Sequence, residues 1–422
     1  MRITKGENFH VCQPIQEIYF TMTDFDFAAF RENFPSLTNE QCYLDSAATA
    51  LKPQTVINAT LEVYSQEGAT VHRSQHRAAQ SLTEKYEQAR SRVARLINAP
   101  TAENIVWTRG TTESINLLAQ SYFAPRLQPG DEIIVSQAEH HANLIPWLML
   151  AERYQAKVVT LPLDAQFMPD AEALPALLNS KTRLVAIGQM SNVTGGMPQL
   201  ERIITLAHAN GALVVVDGAQ GVVHSPADVQ ALDIDFYAFS AHKLYGPTGI
   251  GVLYGKTELL EAMQPWHGGG KMLTQASMQG FTPQKVPQRF EAGTPNIAGV
   301  IGFDAALEWL ETIDTAGGEK YAQQLATLAE QQLALLPGFR SFRCQNSSIL
   351  AFDIADVHHS DLVALLAEQG IALRAGQHCA QPLMDAMGVS GTLRVSFAPY
   401  NTQNDVERLI AAVKYALELL AD

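Results

Sequence analysis

Between residues 43 and 260 the chain repeats one alternation: short, almost wholly apolar runs separated by amphipathic stretches. The runs are "NIVWTR", "DEIIVSQ", "AKVVTLPL", "RLVAIGQMS", "ALVVVDGA", "DFYAFS" and "GIGVLYG", with stretches such as "TTESINLLAQSYF" and "LERIITLAHANG" between them. A strand that is apolar at successive positions buries both of its faces, and strands joined through helices run parallel. The pattern therefore predicts an α/β fold with a mainly parallel sheet flanked by helices. Such sheets gather ligands at the carboxyl ends of their strands, where several of these runs give way to polar residues.

After about residue 305 the pattern changes. Long helical segments ("FDAALEWLETID", "YAQQLATLAEQQLALL") alternate with short strands ("SILAFDI", "TLRVSFA"), and "QNDVERLIAAVKYALELLA" closes the chain. This predicts a large domain over 37–304 and a smaller α+β C-terminal domain over 305–422. At 422 residues and 47% hydrophobic the chain can supply both cores. Residues 22–36, with Phe25, Phe27, Phe30 and Phe34 at helical spacing, predict an N-terminal helix packing on the smaller domain. Residues 1–21 lack the apolar core of a signal peptide and read as a disordered, dispensable extension.

Charge and cysteine usage narrow the function classes. The net charge is −14, with 29 Lys+Arg against 43 Asp+Glu and no long basic run, which argues against nucleic acid or an anionic membrane as partner. No apolar run approaches the ~18 residues of a membrane helix. Four cysteines, at 12, 42, 344 and 379, are too sparse for a disulfide framework and show no zinc-ligand spacing. Reduced thiols in a cytoplasmic protein are the expectation.

Several strand ends carry chemistry. Asp217 ends "VVVDGAQG", where a carboxylate is costly unless paired, although an Asp there can equally cap a helix. Lys243 follows Ser240 and His242 in "FSAHKLYGPTG"; a lysine in a small polar pocket can have a depressed pKa and form a Schiff base, but it can also be a plain surface lysine. In "TRGTTESIN" a helix starts at Thr111 or Thr112, which suits a phosphate or a simple N-cap. His140 and His141 in "AEHHANLIPW" could bind a metal or lie over a planar cofactor. "GIGVLYGKT" is not a P-loop, because Ile250 stands where glycine is required. A carboxylate, a lysine, a phosphate cup and an imidazole at successive strand ends jointly describe a pyridoxal 5'-phosphate site.

The motifs "YLDSAATA", "VHRS", "RGTTESIN", "AEHHANLIPW", "SNVTG", "VDGAQG", "FSAHKLYGPTGIG", "EAGTPN" and "RAGQHCAQP" occur in this order from about Phe30 to the C-terminus. On them the chain resembles the cysteine desulfurases and cysteine sulfinate desulfinases of the class V aminotransferase family, in the group with a short cysteine loop. The resemblance implies the fold type I architecture of pyridoxal phosphate enzymes. It makes Lys243 the Schiff-base lysine, Asp217 the partner of the pyridinium nitrogen, Gln220 the donor to the phenolate oxygen and His140 the stacking ring. Thr111, Thr112, Ser240 and His242 would hold the phosphate. Thr294 would reach the phosphate of the neighbouring subunit, which implies a homodimer. Asn192 and Arg394 would bind the substrate carboxylate, and Arg374 and His72 would line the pocket. The family's "SGHK" glycine is Ala241 here, a small-for-small change.

The implied reaction converts L-cysteine to L-alanine. Cys379 attacks the substrate sulfur as thiolate and is left as a persulfide, which a small acceptor protein docking near the loop collects. Arg374 and His378 would help if they lower the thiol's pKa. L-cysteine sulfinate and L-selenocysteine, whose leaving groups depart without thiol attack, are expected further substrates. The destination of the sulfur, iron–sulfur cluster assembly among others, stays open. Four rivals remain, three of them a selenocysteine lyase or sulfinate desulfinase that needs no persulfide, a transaminase, and a non-catalytic partner in sulfur traffic. A metal hydrolase built on His140 and His141 is the most distant.

Overall fold

A computed structural model describes residues 24–37 and 40–421; the extension 1–21 and the start of the predicted N-terminal helix lie outside them. The seven apolar runs form one sheet: β1 (Ile105–Thr108), β2 (Glu132–Ser136), β3 (Lys157–Leu161), β4 (Thr182–Gly188), β5 (Leu213–Asp217), β6 (Phe236–Ser240) and β7 (Gly251–Gly255). Their spatial order is β1-β7-β6-β5-β4-β2-β3, parallel except that β7 runs against both neighbours.

Both faces are covered, which is why the runs read as continuously apolar. Successive side chains on a strand point to opposite faces. Thus Val214 and Val216 of β5 enter one core with Val185 and Ile187, packed by the helices Arg77–Leu96, Leu200–Ala209 and Ile297–Leu310. Val215 enters the other, with Leu184 and Ala186, under the helices Thr111–Leu118 and Ile145–Tyr154.

A second, antiparallel sheet contains β8 (Phe339–Ser341), β9 (Ile349–Ile354), β10 (Arg374–Gly376) and β11 (Thr392–Ser396), in the order β8-β9-β11-β10. Its own core includes Leu325 and Leu333 of the helix Thr315–Leu333 and Leu409 and Val413 of the helix Gln403–Ala421. The early segment Cys42–Tyr43 pairs in parallel with Ile371–Ala372, and Leu44 accepts from the Ser396 N–H at 2.8 Å. Cys42 and Leu44 are therefore buried in this second core, and Asp45 arrives beside β11.

The N-terminal helix is shorter than its phenylalanine spacing suggests. It spans Phe27–Arg31, capped by the Asp26 side chain on the Ala29 N–H. Pro35 biases Phe34 away from helical geometry, so the chain leaves the helix before it. Five residues cannot hold a helix by propensity alone. Packing holds it instead: the buried Phe30 and Phe34 rings lie against Tyr245, Trp309 and Tyr400, each worth about 2 kcal/mol of burial. Phe27 stacks on Tyr321 of the second core at 5.3 Å, so the helix bridges the seam between the cores.

Candidate active site

The carboxyl ends of β1, β2, β4, β5 and β6 surround a cavity of about 220 Å³, closed on the far side by β10 and β11. Eleven residues singled out in the sequence line it: Thr111, Thr112, His140, Asn192, Asp217, Gln220, Ser240, His242, Lys243, Arg374 and Arg394.

Lys243 ends a single helical turn after β6 and points its Nζ toward Gln220 Oε1, 3.5 Å away. Burial lowers its pKa to about 8, against the pull of Asp217, so an appreciable share of the amine is unprotonated near neutrality. Asp217, at the tip of β5, is 8% exposed and accepts the Ala219 N–H at 2.9 Å. Burial raises its pKa despite that bond. A buried carboxylate with one backbone donor suits a cationic ring N–H.

At the opposite end, the Ser240 hydroxyl meets the Thr111 N–H at 2.9 Å and the Thr111 hydroxyl at 2.7 Å. The helix Thr111–Leu118 starts after Gly110, which has no side chain to cap it. Beyond Thr111, whose N–H Ser240 already takes, the first turn has no side-chain cap and can receive an anion. The two strand ends come this close only because Gly251 lies between them: a Cβ there would stand 2.3 Å from the Gly110 Cα. Burial lowers His242 to about 4, so it enters this cradle as a neutral donor or acceptor, with Nδ1 3.2 Å from Thr49 Oγ1.

His140 follows β2 and is also lowered to about 4, mainly by burial; its Nδ1 accepts the Ala142 N–H at 3.0 Å. A neutral, oriented ring is what stacking on a planar group needs. Beneath it lies Glu139, which the sequence reading passed over although it stands beside His140. Its buried carboxyl, raised to about 7 by desolvation, binds the Ser136 hydroxyl, the Asn143 amide and the Gly188 N–H, and so fixes the loop that carries His140. Among the described residues no group of three or more His, Cys, Asp or Glu could hold a metal.

The other wall is cationic. Arg374 of β10 and Arg394 of β11 stand directly opposite in the register, a destabilising pairing for like charges without an anion. Arg394, 1% exposed, donates to the Asn192 carbonyl at 2.9 Å and to Asp45 at 3.2 Å, while its buried Nε has no partner. Both facts fit an incoming carboxylate. Asp45 is a second residue the sequence reading missed, because the strand pairing that delivers it is tertiary.

Cys379 sits at the rim. Its Sγ lies 3.9 Å from Arg374 Nη2, and its carbonyl accepts the His141 N–H at 2.7 Å. His378 and Cys379 both have left-handed backbones, at φ 52° and 55°. The adjacent His378 does not assist the thiol. Its ring turns inward, with Nε2 2.9 Å from the Thr392 hydroxyl, and burial lowers it to about 3. Cys42 is buried and its thiol is pushed far up, by desolvation above all.

Two expected residues lie outside this cavity. The His72 Nε2 is 2.7 Å from Glu87, in a network with Arg90, and Thr294 is exposed in the turn after Glu291.

The residues fit pyridoxal phosphate at both ends: an uncapped helix start with hydroxyls for the phosphate, and a buried carboxylate and an amine for the ring. Fold and site define a pyridoxal phosphate enzyme. The model of the class-V aminotransferases matches residues 42–409, and the chain belongs to that family. Among its relatives, the cysteine desulfurase CsdA of Escherichia coli (strain K12) is 66% identical over 95% of this chain and 100% of its own. A probable cysteine desulfurase of Vibrio cholerae is 51% identical over 93% of this chain and 98% of its own. The crystal structure of the E. coli CsdA, as its S-sulfonic acid, superposes with a TM-score of 0.90, covering 94% of this chain and 99% of that one.

Proposed function

We propose that this enzyme is a cysteine desulfurase that converts L-cysteine to L-alanine and takes the sulfur onto Cys379 as a persulfide. The observation that carries the reading is the placement of a cysteine on a held turn at the rim of a cavity with a buried, depressed-pKa lysine inside it. The names of the relatives support it.

Asp217 and the Thr111–Ser240 cradle would hold the cofactor's two ends, Thr112 and His242 would add to the phosphate contacts, and His140 would stack on the ring. When bound, the cofactor supplies an electron sink for negative charge developing at the substrate Cα. Arg394 binds the substrate carboxylate, steered by Asn192 and Asp45. Lys243 takes the Cα proton at Nζ; an amine near pKa 8 is poised for that task. His140 remains neutral and keeps Nε2 free to exchange a proton with the substrate. Cys379, as thiolate beside the Arg374 guanidinium, forms a bond to the substrate sulfur as the C–S bond breaks. The electron pair of that bond stays with carbon, which takes up a proton, and alanine leaves.

The reading extends to a cytoplasmic homodimer in which Thr294 reaches the partner's site; His72, expected in the pocket, is bound to Glu87 instead. No described helix is long and apolar enough to cross a membrane. A large domain to residue 304, a small one from 305, and an acceptor protein docking over Cys379 belong to the same proposal. So does activity on L-cysteine sulfinate and L-selenocysteine.

The test is alanine formation by wild type and Cys379→Ser with L-cysteine and, separately, with L-cysteine sulfinate. Loss with cysteine alone is the expected result. Equal turnover of both substrates by both proteins would replace this reading with a lyase that needs no persulfide.

A further inference from the structure

Behind Lys243, at the seam between the two cores, lies a second cavity of about 550 Å³; Lys243 and Gln220 form the wall between it and the first. On the far side of that wall stands His224, one helical turn beyond Gln220. Its Nε2 is 3.1 Å from Gln220 Nε2, and its Nδ1 is 2.9 Å from Glu319 Oε2 and 3.4 Å from the Ser348 hydroxyl. The His224 side chain is 9% exposed and that of Glu319 is 19%.

We propose that His224, clamped by Glu319, is a positioning residue that decides which end of the Gln220 amide faces Lys243. An amide nitrogen only donates, so the contact with Gln220 requires a bare Nε2 on the imidazole. A carboxylate only accepts, so Glu319 requires the proton on Nδ1. The two contacts select the same tautomer, and the amide assignment follows from that network. Gln220 is thereby turned with Oε1 toward Lys243, where it accepts from the amine, and one of its two Nε2 hydrogens remains for the phenolate that the resemblance implies. Without His224 the amide can turn over and present its N–H groups to Lys243. Donor would then face donor, which disfavours the ammonium.

Glu319 belongs to the helix Thr315–Leu333, whose buried side chains pack in the second core, whereas His224 follows β5 of the large sheet. The prop therefore crosses the seam, and Gln220 is oriented only when the two cores are seated on each other. Asp217, Arg394, Arg374 and Cys379 also act on Lys243 and are untouched by the variants below.

This inference rests on Lys243 and Gln220 being the reactive pair, but its test needs no turnover. In the full chain freed of cofactor, acetic anhydride labels unprotonated Lys243, and mass spectrometry of its peptide gives the midpoint pH. His224→Ala and Glu319→Ala should each lower that midpoint by about half a pH unit, and His224→Gln, whose amide oxygen can accept from Gln220, should restore it. In the loaded enzyme the pH midpoint of the visible absorbance should move in the two alanine variants. In a Gln220→Ala background, His224→Ala should move neither midpoint further. Unchanged midpoints in folded His224→Ala, or in Glu319→Ala if the first variant does not fold, overturn the proposal and leave His224 a packing residue. Failure to turn over L-cysteine with the midpoints shifted as expected would remove the desulfurase reading and leave this one.

Discussion

Holding Lys243 in its pocket should cost the cofactor-free protein stability, and the size of that cost follows from the site. The amine falls from 10.5 to about 8, with burial the largest cause. Below pH 8 the folded protein must bury an ammonium, and moving a pKa by 1 corresponds to about 1.36 kcal/mol. The full penalty is thus about 3.4 kcal/mol, reduced toward about 2 because Lys243 keeps part of its surface open to water in the cavity. The sign is that of a depressed base: the unfolded chain binds the extra proton between pH 8 and 10.5, so stability rises with pH across that window. Lys243→Met keeps the side-chain length and removes the charge. The cofactor-free variant should be more stable than cofactor-free wild type by about 2–3 kcal/mol at pH 7, and by less than about 1 kcal/mol at pH 10. Urea denaturation of both proteins at the two pH values reads the difference directly. A variant no more stable at pH 7, or a gap that does not narrow by pH 10, would refute the claim that Lys243 is buried against its charge.

Cys379→Ser should lower alanine formation from L-cysteine by ~10²-fold or more, since no other described cysteine is placed at the rim, while sulfinate turnover is kept. Arg394→Lys should raise the KM for L-cysteine about 10- to 100-fold, because a point charge replaces a fork held by Asp45 and the Asn192 carbonyl; steady-state kinetics decide this. Arg90→Ala should destabilise the fold by about 3–5 kcal/mol in urea titrations. It strands Glu291, whose carboxylate takes two bonds from the guanidinium, at 2.6 and 3.0 Å, in a 3% exposed site.

How far the sequence predicted this architecture differs by element. Strands β4 and β5 were legible because burial on both faces leaves no polar position to obscure the run, as "LVVVD" shows. Lys243, Asp217 and the Thr111–Thr112 helix start were each ambiguous alone and were read as one site only jointly; the structure brings them to one cavity. Groups that act through another were not legible. His224 and Glu319 lie 95 positions apart, and only the seam between the cores makes them a pair. Asp45 needed the parallel pairing of Cys42–Tyr43 with Ile371–Ala372. His378 invited a role beside the thiol, but its left-handed backbone and its bond to Thr392 point the ring the other way.

The turn that holds Cys379 leaves the thiol little room to move. Two consecutive non-glycine residues in the left-handed region cost about 1–2 kcal/mol each. The surrounding bonds offset that cost at about 1 kcal/mol apiece: Asn192 on the His378 carbonyl at 2.9 Å, the His141 N–H on the Cys379 carbonyl at 2.7 Å, and the Thr392 hydroxyl on the His378 ring. These partners come from the loops after β4 and β2 and from β11, so the turn is gripped from both cores at once. Only residues 377–380 separate β10 from the next helix, Gln381–Met387. Four residues reach at most about 14 Å when fully extended, and extending them would break every bond just named. Under the proposed function, a persulfide on Cys379 would therefore stay at the rim beside Arg374, and an acceptor thiol would have to come to it there.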